Sequence, residues 1–239
     1  MSASGPPLGN KPLTAAEYWL QTVRDPGWRS PREAMLQGND AAEYDDAERL
    51  ATLALLPSGR IGALGVELGC GIGRYTVDLA RKVDVLHACD LVPESVALAR
   101  ASCAEHGLRD VFVEVADACE FLPARGLVDL IFLKWVLMYL DDARAERLIA
   151  QAAGALRAGG VLLVQDSCDP EADPGPNAAA EIHSPEYPAR YRHPNWIDHR
   201  LIGAAKWREV RRADLGGVYK GWDYPPGAQP AWVLTRARD

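Results

Sequence analysis

The chain has 239 residues, of which 48% are hydrophobic and 25% charged, with a formal net charge of −7 at pH 7. These values are typical of a globular protein with one domain and a short extension. The negative charge gives no electrostatic basis for nonspecific nucleic-acid binding, and no apolar run approaches the ~20 residues of a membrane span. We therefore expect a small molecule or a peptide as the partner, with no nucleic acid and no membrane.

The five cysteines are scattered and form no C-x-x-C pair. This usage argues against a disulfide framework or a structural zinc site, so we expect no metal and a reducing, cytoplasmic location. Residues 1–12 are polar, contain Gly and Pro, and lack the apolar core of a signal peptide, which predicts a flexible leader. Nothing in the sequence predicts an oligomeric state.

Residues 13–57 predict a helical cap laid over the core. Apolar residues recur at helical spacing between positions 13 and 23, with Thr14 as the N-cap. A second helix is predicted from about Ala41 to Leu55. Its inward side is expected to carry Leu50, Leu53 and Ala54, and its outward side Asp45, Asp46, Glu48 and Arg49.

Residues 66–74, VELGCGIGR, lie between a predicted buried strand and a predicted helix. Alternating glycines in such a turn let a backbone approach a cofactor closely and aim helix amides at it. A dinucleotide fingerprint would need G-x-G-x-x-G, but the sixth position is Arg74 and the third glycine, Gly73, comes one place early. The stretch therefore favours S-adenosylmethionine, whose amino-acid end is zwitterionic, over NAD.

Beyond this stretch, apolar segments alternate between strand and helix, which implies βαβ crossovers, an α/β fold and a parallel sheet. Asp90, Asp117 and Asp166 each follow a predicted strand. They would lie at the carboxyl edge of the sheet, where open α/β sheets bind ligands. Residues 169–194 are proline-rich and irregular, and a long insert of this kind is usually functional.

The strand ends provide a possible contact for each part of the cofactor. Asp90 would accept from both ribose hydroxyls, and Asp117 from the adenine amino group. Arg74 would pair with the methionine carboxylate. The alternatives are that the aspartates are solvated at loop ends and that Arg74 lies on a helix surface. The full predicted cofactor-binding set is Glu67, Gly69, Gly71, Gly73, Arg74, Asp90, Leu91, Asp117, Ala118 and Lys134.

Residues 64–167 resemble the class I S-adenosylmethionine-dependent methyltransferases, and most closely the first domain of plant-type phosphoethanolamine N-methyltransferases. The resemblance rests on YW at 18–19 with REAML at 32–36, LGCGIGR at 68–74, WVLMYL at 135–140, DSC at 166–168 and, more weakly, YRHPNW at 191–196. The core is also similar to the N-terminal Xaa-Pro-Lys methyltransferases, although that family usually has a histidine where Tyr139 stands. Its peptide-binding segment is not recognisable in this chain.

The resemblance implies a Rossmann-like, seven-stranded class I methyltransferase sheet with helices on both faces and an N-terminal helical cap. Residues 58–239 would form this domain, with residues 169–194 as a substrate-binding insert. The cofactor would be S-adenosyl-L-methionine and the product S-adenosyl-L-homocysteine.

The resemblance also places catalytic roles on Tyr18 and Tyr139, a cap tyrosine that closes the site and its partner after the fourth strand. An amine must lose a proton before methylation, and tyrosine is a weak base at its usual pKa of about 10. Asp166 would be the better acceptor. The alternatives are that Tyr18 packs in a helix, that Tyr139 lies at the edge of the core and that Asp166 caps a loop.

The predicted substrate-binding residues combine aromatic rings, which suit a methylated ammonium, with an arginine fork that suits a phosphate or carboxylate. In the phosphoethanolamine enzymes the same region binds the phosphate, which implies this role for Tyr191 and Arg192. A solvated loop and packing tryptophans are the alternatives. The predicted substrate-binding set is Trp19, Trp135, Tyr187, Tyr191 and Arg192.

These patterns together predict a methyltransferase that acts on the nitrogen of a small, phosphoethanolamine-like amine or on the α-amine of a peptide, as in natural-product biosynthesis. One alternative is O-methylation of a carboxylate or hydroxyl, with Arg192 as the ligand of the substrate carboxylate. Another is a non-catalytic S-adenosylmethionine-binding subunit that activates a partner.

Overall fold

The computed structural model describes residues 13–36, 41–123, 125–175, 177–203, 207–219 and 224–236. The predicted leader, residues 1–12, lies outside these ranges. The helices are α1 (Ala15–Arg24), α2 (Pro31–Leu36), α3 (Ala41–Leu53), α4 (Thr76–Ala80), α5 (Pro93–Glu105), α6 (Ala118–Phe121), α7 (Asp142–Ala155) and α8 (Pro194–Gly203). The strands are β1 (Gly62–Leu68), β2 (Val83–Asp90), β3 (Val111–Val115), β4 (Val128–Lys134), β5 (Leu156–Gln165), β6 (Trp207–Asp214) and β7 (Pro230–Arg236).

The seven strands form one sheet in the order β3-β2-β1-β4-β5-β7-β6. The first five are parallel, whereas β7 runs antiparallel to both β5 and β6. This arrangement confirms the predicted Rossmann-like class I sheet. The strand order reverses between β1 and β4, so the carboxyl ends of these two strands form the switch point at which such sheets bind ligands.

The central strands are buried on both faces, as parallel strands between two helix layers must be. All seven residues of β4 are buried. Ile131 and Leu133 pack in one cluster with residues of α7 and α8, while Leu130 and Phe132 pack in a second cluster with residues of α4. Because side chains alternate along a strand, the two clusters lie on opposite faces of the sheet.

The N-terminal helices form the predicted cap. Thr14 caps α1 as expected, and Glu17 completes a capping box with it. Helix α2 was not predicted, because six residues are too few to show a helical period. None of the helices in the described ranges is both long and apolar enough to cross a membrane.

The predicted orientation of α3 is correct for Leu53, which packs against the core, but wrong for Asp45, Glu48 and Leu50. Asp45 and Glu48 are 1% and 0% exposed, whereas Leu50 is 59% exposed. Arg74 explains the reversal, because its Nε donates to Asp45 Oδ1 at 2.7 Å and its Nη2 donates to Glu48 Oε2 at 2.7 Å. Lys134 Nζ lies 2.6 Å from Glu48 Oε1. Paired in this way, the carboxylates face the sheet and the helix presents Leu50 to solvent.

Glu48 is the centre of this ionic cluster. Its two oxygens also accept hydrogen bonds from the hydroxyls of Tyr75, at 2.6 Å, and Tyr219, at 3.1 Å. Burial opposes ionisation of Glu48, but the charges of Lys134 and Arg74 outweigh it and lower the pKa of Glu48 to about 2. Glu48 is therefore a carboxylate that joins the cap to the sheet.

Replacing Glu48 by Gln keeps the shape of the side chain and removes its charge. We expect the free energy of unfolding to fall by about 3–5 kcal/mol, because Arg74 and Lys134 would lose a buried partner. Asp46→Asn is the matched control on the same helix, where the side chain is 66% exposed, and should change stability by less than about 0.5 kcal/mol. Urea unfolding at neutral pH compares the two, and equal losses would contradict the role of Glu48.

Candidate active site

A cavity of about 660 Å³ opens at the carboxyl ends of β1, β2 and β4. We call it the first cavity. It brings together nine of the ten predicted cofactor-binding residues, which are Glu67, Gly69, Gly71, Arg74, Asp90, Leu91, Asp117, Ala118 and Lys134. The convergence follows from the parallel topology, because these residues occupy successive strand ends or the turns that follow them.

The glycine turn is shaped by its packing as well as by its access to the cavity. Gly69 has φ of 71°, and a Cβ there would lie 2.5 Å from Val136 Cγ2. Gly73, the tenth predicted residue, is not among the residues that line the first cavity. It has φ of 86°, and a Cβ there would lie 3.0 Å from the backbone of Ala99 in α5. Gly73 therefore serves helix packing, which corrects its predicted cofactor contact.

Asp90 fastens the glycine turn to the start of α5. Its carboxylate accepts the backbone N–H groups of Gly71 and Val92, both at 2.9 Å. Burial raises the pKa of Asp90, and these N–H donors act in the opposite direction. The carboxylate also lines the first cavity, where the remaining lone pairs can accept from sugar hydroxyls.

Glu67 is 2% exposed and accepts a hydrogen bond from Thr76 Oγ1 at 2.6 Å. Burial raises its pKa to about 8. A cationic group bound beside Glu67 would favour the carboxylate form. This is the chemistry expected of a residue that receives the ammonium of an amino acid.

Arg74 and Lys134 line the first cavity, but their charges are matched by cap carboxylates. Asp45 and Glu48 bind the Arg74 guanidinium, and Glu48 also binds Lys134. Arg32 of α2 also pairs with Asp45, at 2.9 Å, so three cations share two carboxylates in this cluster. The structure does not support the prediction that Arg74 is reserved for the carboxylate of the cofactor, because that prediction took no account of α3.

Asp117 lies at the rim of the same cavity as the N-cap of α6, where it accepts the N–H of Cys119 at 2.9 Å. Its other oxygen pairs with Arg144 of α7. Arg144 also lines the cavity and was missed in the sequence. It stands on an ordinary helical turn, so no sequence pattern marks it.

A second cavity, of about 440 Å³, adjoins the first. Trp19, Met35, Trp135 and Tyr139 line both. The second cavity also receives Tyr187 and Tyr191 from the predicted insert, together with Ser167 and Asp169 after β5 and residues on the approach to β7. The structure thus brings four of the five predicted substrate-binding residues to one place.

The aromatic residues of the cap, the insert and the segment after β4 form one continuous cluster. Trp19 lies edge-on to Tyr139, with ring centroids 5.8 Å apart. Tyr18 lies edge-on to Tyr187 at 5.0 Å, and the ring of Tyr191 is 6.3 Å from that of Tyr187. Edge-on contacts of this kind are favourable beyond the area they bury, so they fix the cap against the insert.

Tyr18 and Tyr139 both belong to this cluster. The hydroxyl of Tyr139 lies 3.2 Å from that of Tyr187. Burial raises the pKa of Tyr139 well above its usual range. The phenol therefore stays protonated at neutral pH and is suited to orienting a substrate.

Asp166 does not reach either cavity, which corrects its predicted role as proton acceptor. It is 1% exposed, and its oxygens accept the N–H groups of Met138 at 3.0 Å and Ser167 at 2.9 Å. Burial raises its pKa to about 7, against the lowering effect of the Arg192 charge. Asp166 therefore positions the segment after β4. This corresponds to the loop-capping role that was the alternative for this residue.

The predicted substrate contact of Arg192 is also wrong. The side chain is buried, with Nε bound to Asp142 Oδ1 at 2.8 Å. Its terminal nitrogens donate to the carbonyls of Leu137, at 2.8 Å, and Leu140, at 2.6 Å. The fork is thus used by the turn that carries Tyr139, because carbonyls in a buried turn need donors.

Comparisons with known proteins find similar sequences. Residues 66–160 match the family described as methyltransferase domain. A phosphoethanolamine N-methyltransferase of Triticum aestivum is 37% identical over 153 residues, which cover 63% of this chain and 29% of that protein. N-terminal Xaa-Pro-Lys N-methyltransferase 1 of Mus musculus is 27% identical over 106 residues, covering 43% of this chain and 46% of that protein. The matches thus span less than half the length of these relatives.

Solved structures match in fold. Phosphoethanolamine N-methyltransferase 1 of Haemonchus contortus, in complex with phosphoethanolamine and S-adenosylhomocysteine, has a TM-score of 0.74 at 20% identity over 93% of this chain and 48% of that one. The N-methyltransferase NodS of Bradyrhizobium japonicum has a TM-score of 0.62 at 20% identity, covering 82% of this chain and 97% of that one. Residues 66–160 therefore match a methyltransferase domain, and the chain shares the fold of these solved methyltransferases.

Proposed function

We propose that this protein transfers methyl groups from S-adenosylmethionine to the nitrogen of a small amine or of a peptide α-amine. The observation that carries the proposal is the shared wall of the two cavities. The first holds the residues expected at a cofactor, the second is lined by aromatic rings, and Trp19, Trp135 and Tyr139 line both. A donor and an acceptor can therefore meet at these side chains. The names of the relatives support nitrogen as the acceptor atom.

The residues of the first cavity fit the cofactor by their chemistry. Asp90 offers lone pairs to sugar hydroxyls, and Glu67 offers a carboxyl group whose raised pKa a cation would lower. When bound, S-adenosylmethionine supplies an electrophilic methyl group on a sulfonium. Holding an amine in line with that group is mostly a matter of positioning, which the rigid strand ends and the packed rings provide.

Proton removal belongs to the second cavity. Asp166 is buried and accepts the N–H groups of Met138 and Ser167, and Tyr139 remains protonated, so neither is suited to be the base. Among the described residues in the lining of the second cavity, Asp169 is the carboxylate, and it can attract a protonated amine. The hydroxyl pair of Tyr139 and Tyr187 can then orient the nitrogen while its proton leaves to Asp169 or to water.

In the O-methylation alternative Arg192 would bind a substrate carboxylate, but its guanidinium is bound to Asp142 and to two backbone carbonyls. A test of N-methylation is incubation with labelled S-adenosylmethionine and a panel of simple amines, phosphoethanolamine and short peptides. We expect label on a nitrogen of at least one acceptor. Tight cofactor binding with no transfer to any of them would favour the activator subunit instead.

Asp90→Asn should weaken binding of S-adenosylhomocysteine by at least about tenfold, the scale of one lost charged hydrogen bond. The control is Asp84→Asn at the opposite end of β2, where the side chain is 46% exposed and pairs with Arg60 at the surface. Calorimetry of the two variants should show a loss only for Asp90. An unchanged affinity would remove Asp90 from the site.

Tyr139→Phe removes the hydroxyl that meets Tyr187 and leaves the ring in place. We expect kcat to fall by at least about tenfold, since a positioned hydroxyl acts on the transition state, with affinity for S-adenosylhomocysteine unchanged. A normal rate in Tyr139→Phe would count this hydroxyl as packing only.

A further inference from the structure

A phosphorylated substrate requires a binding surface with positive charge, and the second cavity does not present one among its described residues. We infer that the acceptor is a cationic amine without a phosphate group, held by the aromatic rings of the second cavity and by Asp169. This inference rests on the proposed function, because it takes the second cavity as the acceptor site. It narrows the acceptor class beyond what the relatives suggest.

The walls of the second cavity are predominantly aromatic. Trp19 and Tyr139 meet at an interplanar angle of 78°, and Tyr219 and Tyr224 on another side meet at 73° with centroids 5.4 Å apart. Rings set at such angles turn faces and edges toward the same space. A ring face attracts an ammonium by about 0.5–2 kcal/mol, depending on its desolvation.

Charge points the same way. Among the described residues that line the second cavity there is no arginine and no lysine, and Asp169 is the acidic one. Asp169 is half-buried, with Oδ1 accepting the N–H of Glu171 at 2.9 Å. A phosphate placed here would face the Asp169 carboxylate and several phenols. Among the described lining residues, His183 is the side chain that could carry a compensating positive charge, and a phosphate without compensation is costly wherever water is excluded.

Three described cations, Arg192, Lys134 and Arg190, make other contacts. Arg192 holds the turn after β4. Lys134 Nζ is paired with Glu48. It also lies 3.7 Å from the ring centroid of Trp135, so the Lys134 ammonium contacts that ring. Arg190 lines the first cavity, and its Nη1 donates to the carbonyl of Ala180 at 2.8 Å.

Trp135 adds a backbone observation at this boundary. Its φ of 52° is the one positive value at a non-glycine residue of the described chain, a conformation that costs energy and recurs at binding sites. The indole Nε1 donates to Gln229 at 3.2 Å. The strained backbone and this hydrogen bond together fix a tryptophan ring on the wall that the two cavities share.

The test compares choline with phosphocholine, which share a quaternary ammonium and differ by the phosphate. Calorimetry on the full chain, with and without saturating S-adenosylhomocysteine, should show choline binding at least about tenfold more tightly. Equal or tighter binding of phosphocholine would overturn the inference. Absence of choline binding at millimolar concentration in both conditions would overturn it as well.

A pair of variants tests the carboxylate. Asp169→Asn should weaken choline binding by about threefold or more and narrow its advantage over phosphocholine, because the lining charge is removed. Glu171→Gln removes the same charge two positions away on an exposed residue outside the cavity lining, and should change choline affinity by less than about twofold. Equal effects of the two substitutions would contradict a specific contact with Asp169.

The outcomes separate this inference from the proposed function. Choline binding without methyl transfer to any amine would contradict the proposed function and leave the preference of the cavity intact. Methyl transfer that is faster to phosphoethanolamine than to ethanolamine would support the proposed function and contradict the inference.

Discussion

The ionic cluster around Glu48 is the contact on which the rest of the site depends. It joins α3 to Arg74 of the glycine turn and to Lys134 at the end of β4. Helix α2 packs on α3 and α1 packs on α2, so the placement of Trp19 and Met35 over the two cavities follows from how α3 docks. Removing one partner of such a cluster leaves the remaining charges buried without compensation. Loss of any one member therefore destabilises the whole cluster.

A second set of buried polar contacts organises the segment after β4. Arg192 and Asp166 approach it from different elements, and each satisfies backbone groups that would otherwise be buried without partners. Both side chains looked chemically active in the sequence, yet both act by holding Tyr139 where the cavities meet. The irregular insert thereby gains a fixed geometry without regular secondary structure of its own.

The two cavities are built by different parts of the fold. The first cavity is built from strand ends, and its fold is shared with methyltransferases that are only about 20% identical to this chain. The second cavity is built from the cap, the insert and the approach to β7, elements that vary readily because they lie outside the sheet. A common fold can thus hold one cofactor while the acceptor chemistry is set by a different group of residues.

The sequence alone determined the sheet, the glycine turn and the convergence of Glu67, Asp90 and Asp117, because strand period, glycine spacing and parallel topology are local or follow from chain order. Tertiary structure decided how charges are used. The carboxylates of α3 turn inward because Arg74 and Lys134, distant in sequence, lie beneath them, and Arg192 is enclosed because a turn needs its donors. Such pairings minimise the free-energy cost of buried charge across the whole molecule. The periodicity of a single segment cannot predict them, because the partners are distant in sequence.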